Sequence, residues 1–129
     1  MRKYITILII LLCTLMLNGC GFFGPGMADY NYKLSGNYVL YHAGLTYVSQ
    51  ETNQIIDRGI TGIAWNKDFI LAEQTGDTPS KYWIIDVKND KKYGPLDTAN
   101  YDKKKNELEI DQNLKLENPE KYKYLEGKK

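Results

Sequence analysis

The chain has 129 residues, 43% of them hydrophobic, with 17 Lys and Arg against 16 Asp and Glu, one His and two Cys. That length supports one hydrophobic core, and a formal charge of +1 lacks the basic excess with which nucleic-acid binders engage phosphates. Two cysteines, at positions 13 and 20, do not make a disulfide framework.

The first 19 residues read as a leader. Met1-Arg2-Lys3-Tyr4 is basic, Ile5 to Leu17 is an apolar run of 13 residues, and Leu17-Asn18-Gly19-Cys20 ends it with a small residue directly before a cysteine. A membrane-crossing helix needs roughly 20 apolar residues to cover about 30 Å of hydrocarbon, so this run is too short to span and has the length of a secretory signal core. The pattern resembles the lipobox of bacterial lipoprotein signals, with Asn18 an unusual occupant of its second place. The resemblance implies cleavage between Gly19 and Cys20, a diacylglyceryl thioether on the Cys20 sulfur and an acyl group on its new amino terminus. The expected location is a cell membrane, lipid-anchored on the extracytoplasmic face. At about 0.8 kcal/mol per buried methylene, one acyl chain holds a protein marginally and two or more hold it stably.

Loss of the leader leaves 110 residues and takes the basic count from 17 to 15 against 16 acidic residues. Cys13 departs and Cys20 is capped, so stability must come from packing alone. So balanced a charge does not favour strong adhesion to anionic headgroups.

Residues 20–31 read as a flexible tether, glycine-rich from Gly21 to Asp29 and reaching about 20 Å. Phe22 and Phe23 within it either dip into the lipid interface or pack on the domain. The domain proper is expected over residues 32–116. Gly36 to His42 and Thr46 to Ser49, separated by Ala43-Gly44, form a first hairpin. Gln54 to Asp57 is a short strand that Gly59 to Trp65 extends, with Gly59 and Gly62 suited to a bulge. Asn66-Lys67-Asp68 turns the chain into Phe69 to Gln74, and Thr75 to Ser80 breaks it again. Lys81 to Val87 is the most β-prone run. It sends Trp83, Ile85 and Val87 to one face and Tyr82 and Ile84 to the other, as a central strand covered on both sides does. Pro95 confines the last strand, Lys92 to Leu96, to an edge. A helix near residues 98–108 starts from Asp97 or Thr98 as cap, with Tyr101 and Leu108 on one face. In the tail, residues 117–129, Asn118-Pro119 starts a short helix through Leu125. The expected fold is mainly β (α+β), a curled antiparallel sheet of about six strands with one packed C-terminal helix.

The succession Ile63-Ala64-Trp65-Asn66, Phe69-Ile70-Leu71-Ala72, Tyr82-Trp83-Ile84-Ile85-Asp86 and Tyr93-Gly94-Pro95-Leu96 resembles a family of small bacterial lipoproteins of unknown function, over about residues 33 to 116. The resemblance implies an antiparallel β domain with a helix after Gly-Pro-Leu. It implies no activity.

Candidate chemistry is sparse. His42 is the lone side chain titrating near neutrality, without the second ligand at metal-binding spacing that zinc needs. Ser35, Ser49 and Ser80 lie in turns or at strand ends and outside any nucleophile elbow. Asp86, Asn89 and Asp90, followed by Gly94, lack the ligand spacing of a calcium loop and suit a hairpin turn. Lys103-Lys104-Lys105 reads as a solvated helix face. Tyr30, Tyr32, Tyr38, Tyr41, Tyr47, Tyr82 and Tyr93 either line a binding surface or fill the core. No catalytic residue, metal or cofactor is expected. The expected role is a non-enzymatic binding module for an envelope protein or wall component, with a small-ligand carrier using the concave face of the sheet as the alternative.

Overall fold

The structure, a computed structural model, describes residues 29–76 and 79–128. The expected leader, Gly19, Cys20 and the tether as far as residue 28 lie outside the described residues.

Among the described residues, local alternation of apolar and polar residues builds eight strands. β1 (Tyr30–Lys33), β2 (Tyr38–Ala43), β3 (Leu45–Gln50) and β4 (Asn53–Ile56) form one antiparallel sheet in that order, and β5 (Ile60–Trp65), β6 (Phe69–Gln74), β7 (Lys81–Asp86) and β8 (Lys91–Leu96) form a second. The fold is therefore mainly β, as expected, but its strands make two four-stranded meanders instead of one curled sheet of six. Gln54–Ile56 and Ile60–Trp65, expected as one extended strand, belong to different sheets, and the step at Asp57-Arg58-Gly59 carries the chain across. The bulge expected near Gly62 is present as a register shift between Ile60 and Gly62 against β6. The first strand begins at Tyr30, so Tyr30 and Asn31, assigned to the tether on sequence, pair with His42 and Tyr41.

The sheets pack face to face. Tyr32, Leu40, Val48 and Ile56 of the first meet Ile63, Ile70 and Ile85 of the second in one core, with Trp83 and Val87 against its margin. The other face of the second sheet carries Ala64, Leu71 and Ile84, which meet Tyr101 and Ile110 beyond it. Thus β7 lies between β6 and β8 with both faces covered, as its sequence requires. Each fully buried Ile or Leu stabilises the fold by about 1.5–3 kcal/mol, and burial on both faces of one strand places much of that in the second sheet.

The α-helix α1 (Thr98–Glu107) covers that second face. Asp97 caps it by accepting from the Asn100 backbone N–H at 2.8 Å, and buried Tyr101 stacks on Tyr82 at 4.6 Å. Its end is a Schellman motif: Ile110 N–H donates to the Lys105 carbonyl and Glu109 N–H to that of Asn106, while Glu109 adopts φ +53°. Glycine normally occupies this left-handed position because a Cβ is penalised there. Glu109→Gly is expected to stabilise the domain by about 0.5–1 kcal/mol, read as a higher denaturant midpoint; an unchanged or lower midpoint would remove the proposed strain at Glu109.

The C-terminal segment closes the sandwich. Glu117 exchanges two backbone hydrogen bonds with Ile63 along the free side of β5, and Asn118 caps a 3-10 helix (Pro119–Leu125) by accepting from Glu120 N–H. The buried Tyr32 hydroxyl donates to the Pro119 carbonyl at 2.8 Å, and Tyr122 meets the Trp65 ring edge-on at 4.7 Å. At one end of the sandwich the Ser35 hydroxyl donates to the Lys67 carbonyl, Val87 N–H to that of Asp68, and the Tyr38 hydroxyl to Asp90. The β2–β3 turn and the crossing at Arg58-Gly59 lie at the opposite end, where Gly59 N–H donates to the Thr46 carbonyl.

Candidate functional site

His42 stands near the end of β2, with Tyr30 opposite it on β1 and Thr46 opposite it on β3. This cross-strand row fixes its surroundings: the ring stacks on Tyr30 with centroids 4.7 Å apart, and Nδ1 lies 2.8 Å from the Thr46 hydroxyl. The row opens into a cleft of about 320 Å³ that Ile60, Thr61 and Glu120 also line. Burial raises the Tyr30 pKa, the Glu120 charge adds to the shift, and a hydrogen bond to Thr46 opposes it. The Thr46 hydroxyl is thus engaged from two sides and sits on a buried residue. A histidine, a hydroxyl and an acid do share this cleft, but among the described residues the hydrogen-bond partner of His42 is Thr46, and no carboxylate orients its ring. Nor do three His, Cys, Asp or Glu side chains gather to hold a metal ion among the described residues.

A second cleft, about 420 Å³, lies where the crossing between the sheets meets the β6–β7 connection, with Arg58, Lys81, Gln74 and Trp83 on its walls. Trp83 Nε1–H donates to Gln74 Oε1 at 2.6 Å, and the Gln74 amide donates to the carbonyls of Asp57 and Arg58. Its polar groups therefore tie the crossing to β6. They are largely spent on the protein itself.

The other residues singled out from sequence are held in turns and packing. Ser35 donates to Lys67, Ser49 donates to the Asn53 carbonyl at 2.8 Å, and Ser80 lies 3.4 Å from the Thr75 hydroxyl. Asp86 accepts from both the backbone and side-chain N–H groups of Asn89, which hold its carboxyl below the usual carboxylate range. Asp90, in the same turn, accepts from the Tyr38 hydroxyl at 2.7 Å and from Gln50. Burial first and that bond second push the Tyr38 pKa up to about 12. Asp86, Asn89 and Asp90 therefore form a hairpin turn that clamps one sheet to the other. Of the lysine run, Lys103 is exposed. Lys104 pairs with Glu107 and lies over the Tyr93 ring, and Lys105 lies over Tyr101, so two of the three hold their ammonium groups over aromatic rings.

The tyrosines divide. Tyr30, Tyr32 and Tyr38 are buried between the sheets, and Tyr82 packs under α1. Tyr41 and Tyr47, directly opposite each other on β2 and β3, stack at 5.4 Å on the outer face of the first sheet with Arg58 over Tyr47. Neither described helix packs on that face: α1 lies on β7 and β8, and the 3-10 helix against β1 and β5. Period-two alternation separates these two sets, since Tyr38 and Leu40 point inward and Val39 and Tyr41 outward.

Gly19 and Cys20, the expected processing and lipid-attachment site, lie outside the described residues. No helix among the described residues is long and apolar enough to cross a membrane. No curated protein and no solved structure matches the chain. Residues 31–120 do match a family model described as a protein of unknown function (DUF3997), and the chain belongs to that family.

Proposed function

We propose that this is a bacterial lipoprotein: a β-sandwich fastened through Cys20 to the extracytoplasmic face of a cell membrane, where it acts as a non-enzymatic binding module for an envelope protein or wall component. The observation that carries the anchor is Leu17-Asn18-Gly19-Cys20 placed directly after an apolar run too short to span. Support for binding over small-ligand transport comes from the space between the sheets. Tyr32, Leu40, Val48, Ile56, Ile63, Ile70 and Ile85 fill it with fully buried side chains. Every buried side-chain nitrogen and oxygen among the described residues has a hydrogen-bond partner, so none is left aimed at an interior guest. The outer face of the first sheet offers instead the stacked pair Tyr41 and Tyr47, large rigid rings with hydroxyls, the surface chemistry protein contacts favour.

A photo-crosslinking residue in place of Tyr47 tests this in intact cells. One partner is expected to be captured by the anchored protein, and lost when Tyr41→Ala removes the stacked ring. Capture at Lys81, on the wall of the cleft at the sheet crossing, and not at Tyr47 would move the contact to that cleft and overturn the assignment to the tyrosine face.

A further inference from the structure

Asp29, the first described residue, leads into β1 at the end of the domain where Tyr30 pairs with His42. The β2–β3 turn is at that same end, and Leu45, which closes it, is 53% exposed. The last turn of the 3-10 helix arrives there too. Glu126 shares a cleft with Asp29, Tyr30, His42 and Ala43, and Lys123 places its ammonium over the Tyr30 ring. Between Lys123 and Glu126 stands Tyr124, 65% exposed, with Lys128 over its ring. Leu45 and Tyr124 are the exposed large hydrophobic side chains of the described residues, and both belong to the end from which the tether departs. The opposite end is made of polar turns, Glu51-Thr52, Asn66-Lys67-Asp68 and Lys88-Asn89-Asp90.

We propose that this end of the domain rests on the lipid surface, with Leu45 and Tyr124 reaching the boundary between headgroups and acyl chains. The inference rests on the anchoring of Cys20 proposed above. Eight residues, 21–28, lie between Cys20 and Asp29; a glycine-rich coil of that length has a root-mean-square reach of about 14–17 Å. The six-residue strands of the first sheet are roughly 20 Å long. Turning the domain over would raise Asp29 by about one strand length, roughly 20 Å, which lies beyond that relaxed reach and at about two-thirds of the roughly 30 Å of full extension, whereas the proposed orientation asks for no extension. Tyrosine suits the interfacial belt, where its ring is buried and its hydroxyl stays wet. Lys128, whose ammonium lies over the Tyr124 ring, adds a positive charge at the same margin.

The test uses the mature lipid-modified chain in vesicles of phosphatidylcholine and phosphatidylglycerol, carrying one environment-sensitive fluorophore on Leu45→Cys, on Tyr124→Cys, or on Thr52→Cys at the far end. Because lipid caps the Cys20 sulfur, each variant is expected to take one label per chain. Emission from positions 45 and 124 is expected to shift to the blue and to be quenched by nitroxide-bearing lipids, while position 52 does neither. One label per chain with equal behaviour at 45 and 52 overturns the orientation and leaves the anchor standing. More than one reactive thiol per chain, or failure to stay with the vesicles, overturns the anchor itself, and the orientation falls with it.

Discussion

Cys20→Ala is expected to abolish both processing at the Gly19–Cys20 bond and stable residence of the mature domain in the membrane. On the proposed chemistry the sulfur is the nucleophile that accepts the diacylglyceryl group, and alanine has no atom to take its place. Signal cleavage at a lipobox follows lipidation, so the variant is expected to keep its leader or to be released by cutting elsewhere. The energetic consequence is large, because two acyl chains hold a protein where one binds only reversibly, with an association constant of about 10⁴ M⁻¹. The described domain supplies little to replace them. No described helix is long and apolar enough to span, and Leu45 and Tyr124 are single side chains. Mass analysis decides the matter: the wild type is expected to begin at Cys20 with added lipid mass and to enter the detergent phase on partition. A Cys20→Ala protein that starts at residue 20 and stays with the membrane to the wild-type extent would refute the anchor.

The parts of this domain that could be read from sequence are those decided by neighbours along the chain. Alternation placed Trp83, Ile85 and Val87 opposite Tyr82 and Ile84, and the two cores divide along that line. Side-chain caps were equally legible, because Asp97 and Asn118 act on residues two or three positions ahead. The Asn66 turn is of the same kind, its side chain accepting from Asp68 and Phe69. The division into two sheets was not legible. Gln54–Ile56 and Ile60–Trp65 have the same β-prone character and each pairs with its neighbour in sequence, β4 with β3 and β5 with β6, so only the packing of one meander over the other sets them in separate layers. The end of α1 was legible to within a residue, but the Schellman motif that makes it was not, since Glu109 does the work of a glycine. At the candidate site, His42 stood out as a lone titratable group, but Tyr30, Thr46 and Glu120 were brought to it by pairing and by the returning C-terminal segment. Nothing in their spacing announces that.

Gly94→Ala is expected to destabilise the domain by about 3 kcal/mol, the sum of backbone strain and an overpacked contact. In the β7–β8 pair the register runs from Tyr82 opposite Leu96 to Ile84 opposite Tyr93. Gly94 and Pro95 therefore face the single residue Trp83, a bulge that brings backbone close to the indole. A Cβ added at Gly94 would stand 2.5 Å from Trp83 Cε3 and 2.9 Å from the Tyr82 carbonyl oxygen, at a φ of +142°. The ring has no easy retreat: its Nε1–H is bound to Gln74 and Lys92 lies over its face at 5.2 Å. For a domain of this size such a loss lowers Tm by roughly 12–24 °C. Gly44→Ala separates the two causes. Its φ is +74°, yet nothing lies within 4 Å of the added carbon, so strain alone should cost about 1 kcal/mol. Shortening the indole in a Trp83→Leu, Gly94→Ala double variant should recover part of the loss, a non-additivity expected of groups in contact. Equal losses at Gly94 and Gly44, or strict additivity with Trp83→Leu, would mean that the indole does not press on this turn and that the edge of the second sheet is held some other way.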